Sequence, residues 1–64
     1  MPKYDITVKL VGTDGNAFAL MGKVRRALRQ AGASPEELDQ FFKEATSGDY
    51  DHLLYVCTEW VNVT

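Results

Sequence analysis

Apolar and polar residues alternate near the start of the chain. Residues 3–11 place every second side chain on one apolar face, formed by Tyr4, Ile6, Val8 and Leu10. This period of two predicts a half-buried strand over residues 3–11. Asp14-Gly15 is compatible with a tight hairpin turn. No second alternating run follows it, however, so we expect residues 12–16 to lead into a helix.

The period changes to 3.6 residues at Ala17 and predicts a helix that continues to Gln30. Its apolar stripe comprises Ala17, Leu20, Met21, Val24, Ala27, Leu28 and Ala31. Asp14 or Asn16 can accept hydrogen bonds from the first amides of this helix. Gly32 stands where a left-handed residue commonly ends a helix.

A second, shorter helix is predicted from its first residues. Ser34 precedes Pro35 at the first helical position, and Glu37 follows three residues after the serine, which is the capping-box pattern. The buried stripe expected of this helix is Leu38, Phe41, Phe42 and Ala45. Residues 46–48 are expected to end it at a glycine.

A third helix is expected to begin after Asp49, which suits the N-cap position. Its predicted apolar face is formed by Tyr50, Leu53, Leu54, Cys57, Trp60 and Val61. Residues 61–63 alternate again, which leaves open a short closing strand beside the first strand.

Together these elements predict one small α+β domain over residues 1–64, in which a strand is packed by three helices. A lone strand or a two-stranded sheet has an unpaired edge and is weak in isolation. With one cysteine and one histidine, the chain can form neither an internal disulfide nor a closed zinc site. We therefore expect self-association to support so small a core, with the sheet completed in a homodimer.

Composition narrows the range of partners. A net charge of −2 disfavours general nucleic-acid binding, which usually needs a basic domain. No apolar run approaches the ~20 residues that cross a bilayer, and the N-terminus lacks the pattern of a secretory signal. We therefore expect a cytoplasmic protein that does not bind membranes and that keeps Cys57 reduced.

The sequence predicts no catalytic residue, metal or cofactor. Cys57 and His52 lie about 140° apart around a shared helix, and the cysteine falls within the apolar face, which favours a structural role. His52 and Glu59 are two turns apart, roughly 10 Å, which is too far to share one ion easily. Asp49 and Asp51 suit a cap and a first-turn acid.

The turn before the first helix is a weak candidate anion site. Gly15 and Asn16 present backbone amides at a helix start, where anions are favoured. No glycine-rich phosphate motif is present, and Asp14 places a carboxylate where a phosphate would bind. A simple capping turn is the favoured interpretation.

The outer face of the first helix is the stronger candidate site. One arc opposite the apolar stripe contains Phe18, Gly22, Arg25, Arg26 and Arg29. Aromatic and arginine side chains are enriched at binding hot spots, and a mid-helix glycine costs about 1 kcal/mol, which suggests close approach of a partner. In the alternative interpretation, Phe18 folds under the helix start and the arginines are only solvated. Tyr55, outside its own helix's stripe, is a weaker candidate.

The segments DGNAF at residues 14–18, Val24 with Ala27-Leu28, and EATSGDYDHLL at residues 44–54 resemble a family of very short, uncharacterised bacterial and phage proteins. The resemblance covers most of the chain and implies a free-standing small protein of the kind that phages encode. It carries no activity to individual residues. Phage proteins of this size are often inhibitors of host systems or oligomers that sequester nucleotide signals.

We therefore expect a non-enzymatic binding protein that acts as a homo-oligomer. The leading prediction is contact with another protein through the face from Phe18 to Arg29, as in a phage-type inhibitor of a host system. The alternative is an oligomer that sequesters a nucleotide or another anionic signal in a pocket between subunits. In such a pocket, the symmetry of the oligomer would double the number of arginines and helix-start amides that face the ligand.

Overall fold

The computed structural model describes residues 2–10, 12 and 15–64. It orders the chain as β1 (Thr7–Val8), α1 (Ala17–Gln30), α2 (Pro35–Ala45), α3 (Tyr50–Trp60) and β2 (Asn62–Val63). The predicted α+β class is confirmed, and the alternation at residues 61–63 does mark a closing strand.

The two strands form a parallel pair, with Thr7 opposite Asn62 and Val8 opposite Val63. Backbone hydrogen bonds continue on both sides of this pair. The Leu10 amide donates to the Thr64 carbonyl over 2.8 Å, and the Lys3 amide donates to the Glu59 carbonyl over 3.0 Å. β1 is shorter than the predicted strand over residues 3–11, because residues 3–4 bond to the last carbonyls of α3 rather than to a strand. Position 11 lies outside the described residues.

Single residues determine where α1 begins and where it ends. Asn16 is the N-cap, and its Oδ1 accepts a hydrogen bond from the Phe18 amide over 2.8 Å. The other predicted cap, Asp14, lies outside the described residues. Gly32 follows the helix with a φ of 97°, a left-handed conformation that side-chain-bearing residues adopt only at a cost. The predicted stop is confirmed.

The N-caps of α2 and α3 are also those that the sequence predicts. The expected glycine stop of α2 is wrong, because Thr46 is the C-cap and the φ of Gly48 is not left-handed. The Glu37 amide donates to Ser34 Oγ over 3.2 Å, and the Ser34 amide donates to Glu37 Oε1 over 3.1 Å, which completes the capping box. The His52 amide donates to Asp49 Oδ1 over 2.9 Å at the start of α3.

The core lies between the inner faces of the three helices and the strand pair. Its buried apolar residues are Val8, Leu20, Met21, Val24, Leu28, Leu38, Phe41, Ala45, Leu53, Val56, Cys57, Trp60 and Val61. Most of them belong to the predicted stripes, which confirms the helical periodicity as the source of the core.

Four residues that were predicted to be buried are exposed: Ala31, Phe42, Tyr50 and Leu54. The prediction missed Val56, which is buried in α3. The physical reason is that α3 turns the stripe of residues 53, 56, 57 and 60 inward, so Tyr50 and Leu54 lie at the edge of its contact with the other elements. Apolar residues outnumber the positions that so small a core can cover.

Trp60 is at the centre of this core and is 1% exposed. The ring of Phe41 meets it edge-on at 5.7 Å, and the ring of Tyr4 stacks at 6.5 Å. On one side Lys3 Nζ lies 4.3 Å from the indole centroid, and the indole N–H donates to Glu44 Oε1 over 3.0 Å. One residue therefore joins the N-terminal segment, α2 and α3.

Two carboxylates of α2 should make the stability of the protein depend on pH. The Tyr4 hydroxyl donates to Glu37, and this bond lowers the pKa of Glu37 below its ordinary value of 4.5; the indole N–H of Trp60 lowers the pKa of Glu44 in the same way. A depressed native pKa contributes stability above the unfolded pKa, and that contribution is lost as the pH falls through the native pKa. We expect Glu37→Gln/Glu44→Gln to flatten the fall in unfolding free energy between about pH 6 and about pH 3, measured by urea titration with Trp60 fluorescence.

Glu36→Gln is the matched control, because Glu36 is exposed and accepts no hydrogen bond among the described residues. It should leave the slope of the wild-type pH profile intact. An equal flattening by the control would mean that total charge, and not these two hydrogen bonds, governs the acid limb.

Candidate functional site

Positive charge is concentrated on α1. This helix carries four cations and no acid, namely Lys23, Arg25, Arg26 and Arg29, and all four are exposed. α2 carries the opposite excess, with four acids and one lysine. The net charge of −2 is therefore a sum in which a basic helix lies beside an acidic one.

A groove of about 460 Å³ lies between α1 and the first half of α2, and we call it the arginine groove. It is lined by Gly22, Arg25, Arg26, Arg29, Pro35, Leu38 and Asp39. Within the part of the chain that the structure describes, no hydrogen bond or ion pair holds any of the three guanidinium groups. Their charge and donors are therefore available to a ligand or partner.

Phe18 does not line the arginine groove. It is 71% exposed and borders a separate, mainly apolar groove of about 260 Å³, together with Met21, Ala45, Tyr50 and Leu53. This second site is called the Phe18 groove below. With so much of its ring in solvent, Phe18 does not fold under the start of α1. The structure thus divides the predicted arc into an apolar site and a cationic site.

Gly22 is open on its outer side. A Cβ placed on it would meet no atom within 4 Å, and its φ is not in the left-handed range. Nothing in the described part of the chain therefore requires glycine here. The glycine leaves bare backbone at the rim of the arginine groove.

The other predicted site residues lie elsewhere. Tyr55 is 61% exposed on α3, where a hydrogen bond from its hydroxyl to Glu59 raises its pKa, and it lines neither groove. At the start of α1, the Asn16 side chain accepts the hydrogen bond of the Phe18 amide, so that amide is already paired. Gly15 borders neither the arginine groove nor the Phe18 groove. The structure therefore does not bring these residues together with the arginines.

The structure also brings together a cluster that the sequence analysis missed. His52 Nε2 lies 2.9 Å from Ser47 Oγ and 3.0 Å from the Glu44 carbonyl oxygen. Because a carbonyl only accepts, Nε2 carries a proton, and the Ser47 hydroxyl donates to the same carbonyl over 2.8 Å. In this arrangement His52 does not act as a base towards Ser47. The cluster instead binds a C-terminal carbonyl of α2, one of the last carbonyls of a helix that lack the regular helical partner. The same carbonyl also accepts the Ser47 amide over 3.3 Å.

Cys57 is buried in the core, as predicted, and burial raises the pKa of its thiol. A thiol with a raised pKa is a poor nucleophile. His52 is engaged with Ser47 and Glu44, so the structure does not pair it with Cys57. Among the described residues, no three histidine, cysteine or acidic side chains are placed to hold a metal ion. No helix there is long and apolar enough to cross a membrane.

No protein-family model, curated protein or solved structure matches the chain. The resemblance noted for residues 14–18 and 44–54 therefore stays a prediction. What bears on function is the pair of grooves on α1 and the charge that surrounds one of them.

Proposed function

We propose that this is a non-enzymatic binding protein that contacts another protein through the α1–α2 face. The observation that carries the proposal is the arginine groove, in which three guanidinium groups have no partner among the described residues. Acidic groups of the partner would bind Arg25, Arg26 and Arg29, since guanidinium groups hold carboxylates through paired hydrogen bonds. An apolar side chain of the partner would occupy the Phe18 groove.

The two grooves set the size of the surface that the partner must present. Phe18 and Arg29 are eleven residues apart on one helix, which corresponds to roughly 16 Å along its axis. About three turns of a partner helix span that distance. Exposed aromatic rings and arginines with an apolar floor are the composition of binding hot spots. The resemblance to phage proteins suggests that such contact inhibits a host system.

Small anionic ligands, such as nucleotides, are the second candidate. The arginine groove has a volume of about 460 Å³, which lies within the range of small-molecule sites. Pro35 and Leu38 supply apolar surface beside the three arginines. In an oligomer, symmetry would bring further cations to such a ligand.

We also propose that the protein acts as a homo-oligomer whose second copy completes the sheet. Two strands form the sheet of the described chain, and sheets of that size are marginal without further pairing. This proposal is independent of which ligand the arginine groove binds.

The protein-partner proposal is tested by capture from host extract with the immobilised protein and matched variants. We expect Arg25→Ala/Arg26→Ala/Arg29→Ala and Phe18→Ser each to lose the same captured protein by at least about tenfold, because hot-spot truncations cost 2 kcal/mol or more. Lys43→Ala and Tyr55→Ser are controls, since they alter an exposed charge and an exposed ring outside both grooves. Unchanged capture by both groove variants, with their folding intact, would rule out this face.

The ligand proposal is tested by thermal shift against a nucleotide panel. A ligand at 100 times its dissociation constant should stabilise the native state by about 2.7 kcal/mol, and Arg25→Ala/Arg26→Ala should abolish the shift. Absence of a shift with every nucleotide in the panel would reject this second candidate.

A further inference from the structure

Among the described residues, no strand pairs with the outer edge of β1. The bonds between β1 and the end of the chain use the backbone of Ile6, Val8 and Leu10 and span 2.8 to 3.1 Å. Because backbone groups point alternately to the two sides of a strand, Asp5 and Thr7 direct theirs to the opposite edge. No hydrogen bond within the described residues reaches the backbone of either residue. Such an edge is a template for another strand.

The space beside this edge is also open. A groove of about 240 Å³ separates the strand from α1, with Thr7 and Lys9 on one side and Lys23, Arg26 and Gln30 on the other. Unfilled space therefore lies next to Thr7. This groove lies on the opposite flank of α1 from Pro35 and Leu38, which line the arginine groove.

The sequence of the strand is complementary to itself about Thr7. When two copies run antiparallel with the threonines opposite each other, Asp5 of each copy lies opposite Lys9 of the other. Ile6 then lies opposite Val8, so apolar residues also face apolar residues. Opposite charges and paired threonines are favourable cross-strand pairs.

We propose that two copies of this chain join through the outer edges of β1, antiparallel and centred on Thr7, to form a four-stranded sheet. The strand order is β2-β1-β1-β2, and the two-fold axis makes both halves of the interface equivalent. This inference rests on the proposed homo-oligomer and specifies its interface and register. It leaves Gly22, Arg25 and Arg29 of the arginine groove outside the interface, whereas Arg26 borders both that groove and the one beside Thr7.

Sedimentation velocity of the whole chain at micromolar concentration tests the interface. The wild type should sediment as a dimer. Thr7→Pro should weaken the dimer by at least about tenfold, because it removes the amide hydrogen at the centre of the new pairing while β1 keeps its bonds to β2. Thr7→Val keeps that amide and is the matched control, which should remain dimeric. Circular dichroism checks that each variant retains its helices.

A charge swap tests the register. Asp5→Lys alone and Lys9→Asp alone should each weaken the dimer by at least about tenfold, because each creates two like-charge pairs across the interface. The double variant Asp5→Lys/Lys9→Asp should restore wild-type affinity to within about threefold. Asp5 also accepts a bond from the Asn62 side chain over 3.3 Å, and both Asp5→Lys and the double variant lose it, so that loss cancels between them.

The outcomes separate the inference from the proposal on which it rests. A monomeric wild type overturns both. A dimer that survives Thr7→Pro overturns the β1 interface and leaves the homo-oligomer in place. A dimer that is lost in Thr7→Pro but is not restored by the double variant overturns the register centred on Thr7.

Discussion

Trp60→Ala is expected to remove most of the stability of the protein. Truncating a buried Trp to Ala typically costs 3–5 kcal/mol, whereas a domain of this length has roughly 3–10 kcal/mol in total. The variant would also leave the Glu44 carboxylate without its indole donor and the rings of Phe41 and Tyr4 without their shared neighbour. Far-UV circular dichroism with urea titration measures the effect, since Trp60 is the chain's one tryptophan and its fluorescence is lost.

Trp60→Phe separates the two contributions of the indole. It keeps an aromatic ring against Phe41 but removes the N–H, so it should cost less than Trp60→Ala while raising the pKa of Glu44 towards its ordinary value. If Trp60→Ala unfolds at nearly the same urea concentration as the wild type, Trp60 does not organise the core.

The same substitution at two glycines should have opposite effects on stability. A Cβ on Gly48 would lie 2.8 Å from His52 Cγ and 2.9 Å from its Cβ, so the ring must move. Overpacking of this kind costs about 1–3 kcal/mol. Gly22→Ala meets nothing within 4 Å and should stabilise α1 by about 0.5–1 kcal/mol. Calorimetry should show Tm changes of about 4–8 °C per kcal/mol, downward for Gly48→Ala and upward for Gly22→Ala.

A double-mutant cycle identifies the cause at Gly48. His52→Ala removes the ring but keeps Cβ, which still lies 2.9 Å from the added atom. Adding Gly48→Ala should therefore cost clearly less in His52→Ala than in the wild type, because the two effects share the contact with the ring. A full second penalty would show that Gly48 is needed for another reason.

Gly22→Ala has a further use: a variant that gains stability but loses partner capture would mean that the partner approaches the bare backbone of α1.

Local sequence signals predicted the parts of the fold that depend on few neighbours. The capping box of Ser34 and Glu37, the cap at Asp49 and the stop at Gly32 act over three or four residues, and the structure contains all of them. Burial at the flanks of the helices could not be predicted in this way. Whether Phe42 or Leu54 is covered depends on how far each helix turns towards its neighbours, which a single helix's periodicity does not specify.

The candidate site was predicted only in part, for a geometric reason. A projection down the helix axis places Phe18 and Arg29 on one arc, but it removes their separation of roughly 16 Å along that axis. The structure consequently assigns them to different grooves. The cluster of Ser47, His52 and Glu44 depends on the turn between α2 and α3, so no spacing within one helix could indicate it. Likewise, position 48 favours glycine because a side chain there would overlap His52, and not because of its φ.

The parallel pairing of β1 with β2 also constrains how the chain folds during synthesis. Val8 pairs with Val63, so this pairing can form only after a residue 55 positions later in the chain has been synthesised. Closing so long a segment is slow compared with forming the helices, whose bonds are local. Until residues 62–63 have been synthesised, β1 has no β2 to pair with. We therefore expect the helices to form first and the sheet to be the last element to assemble.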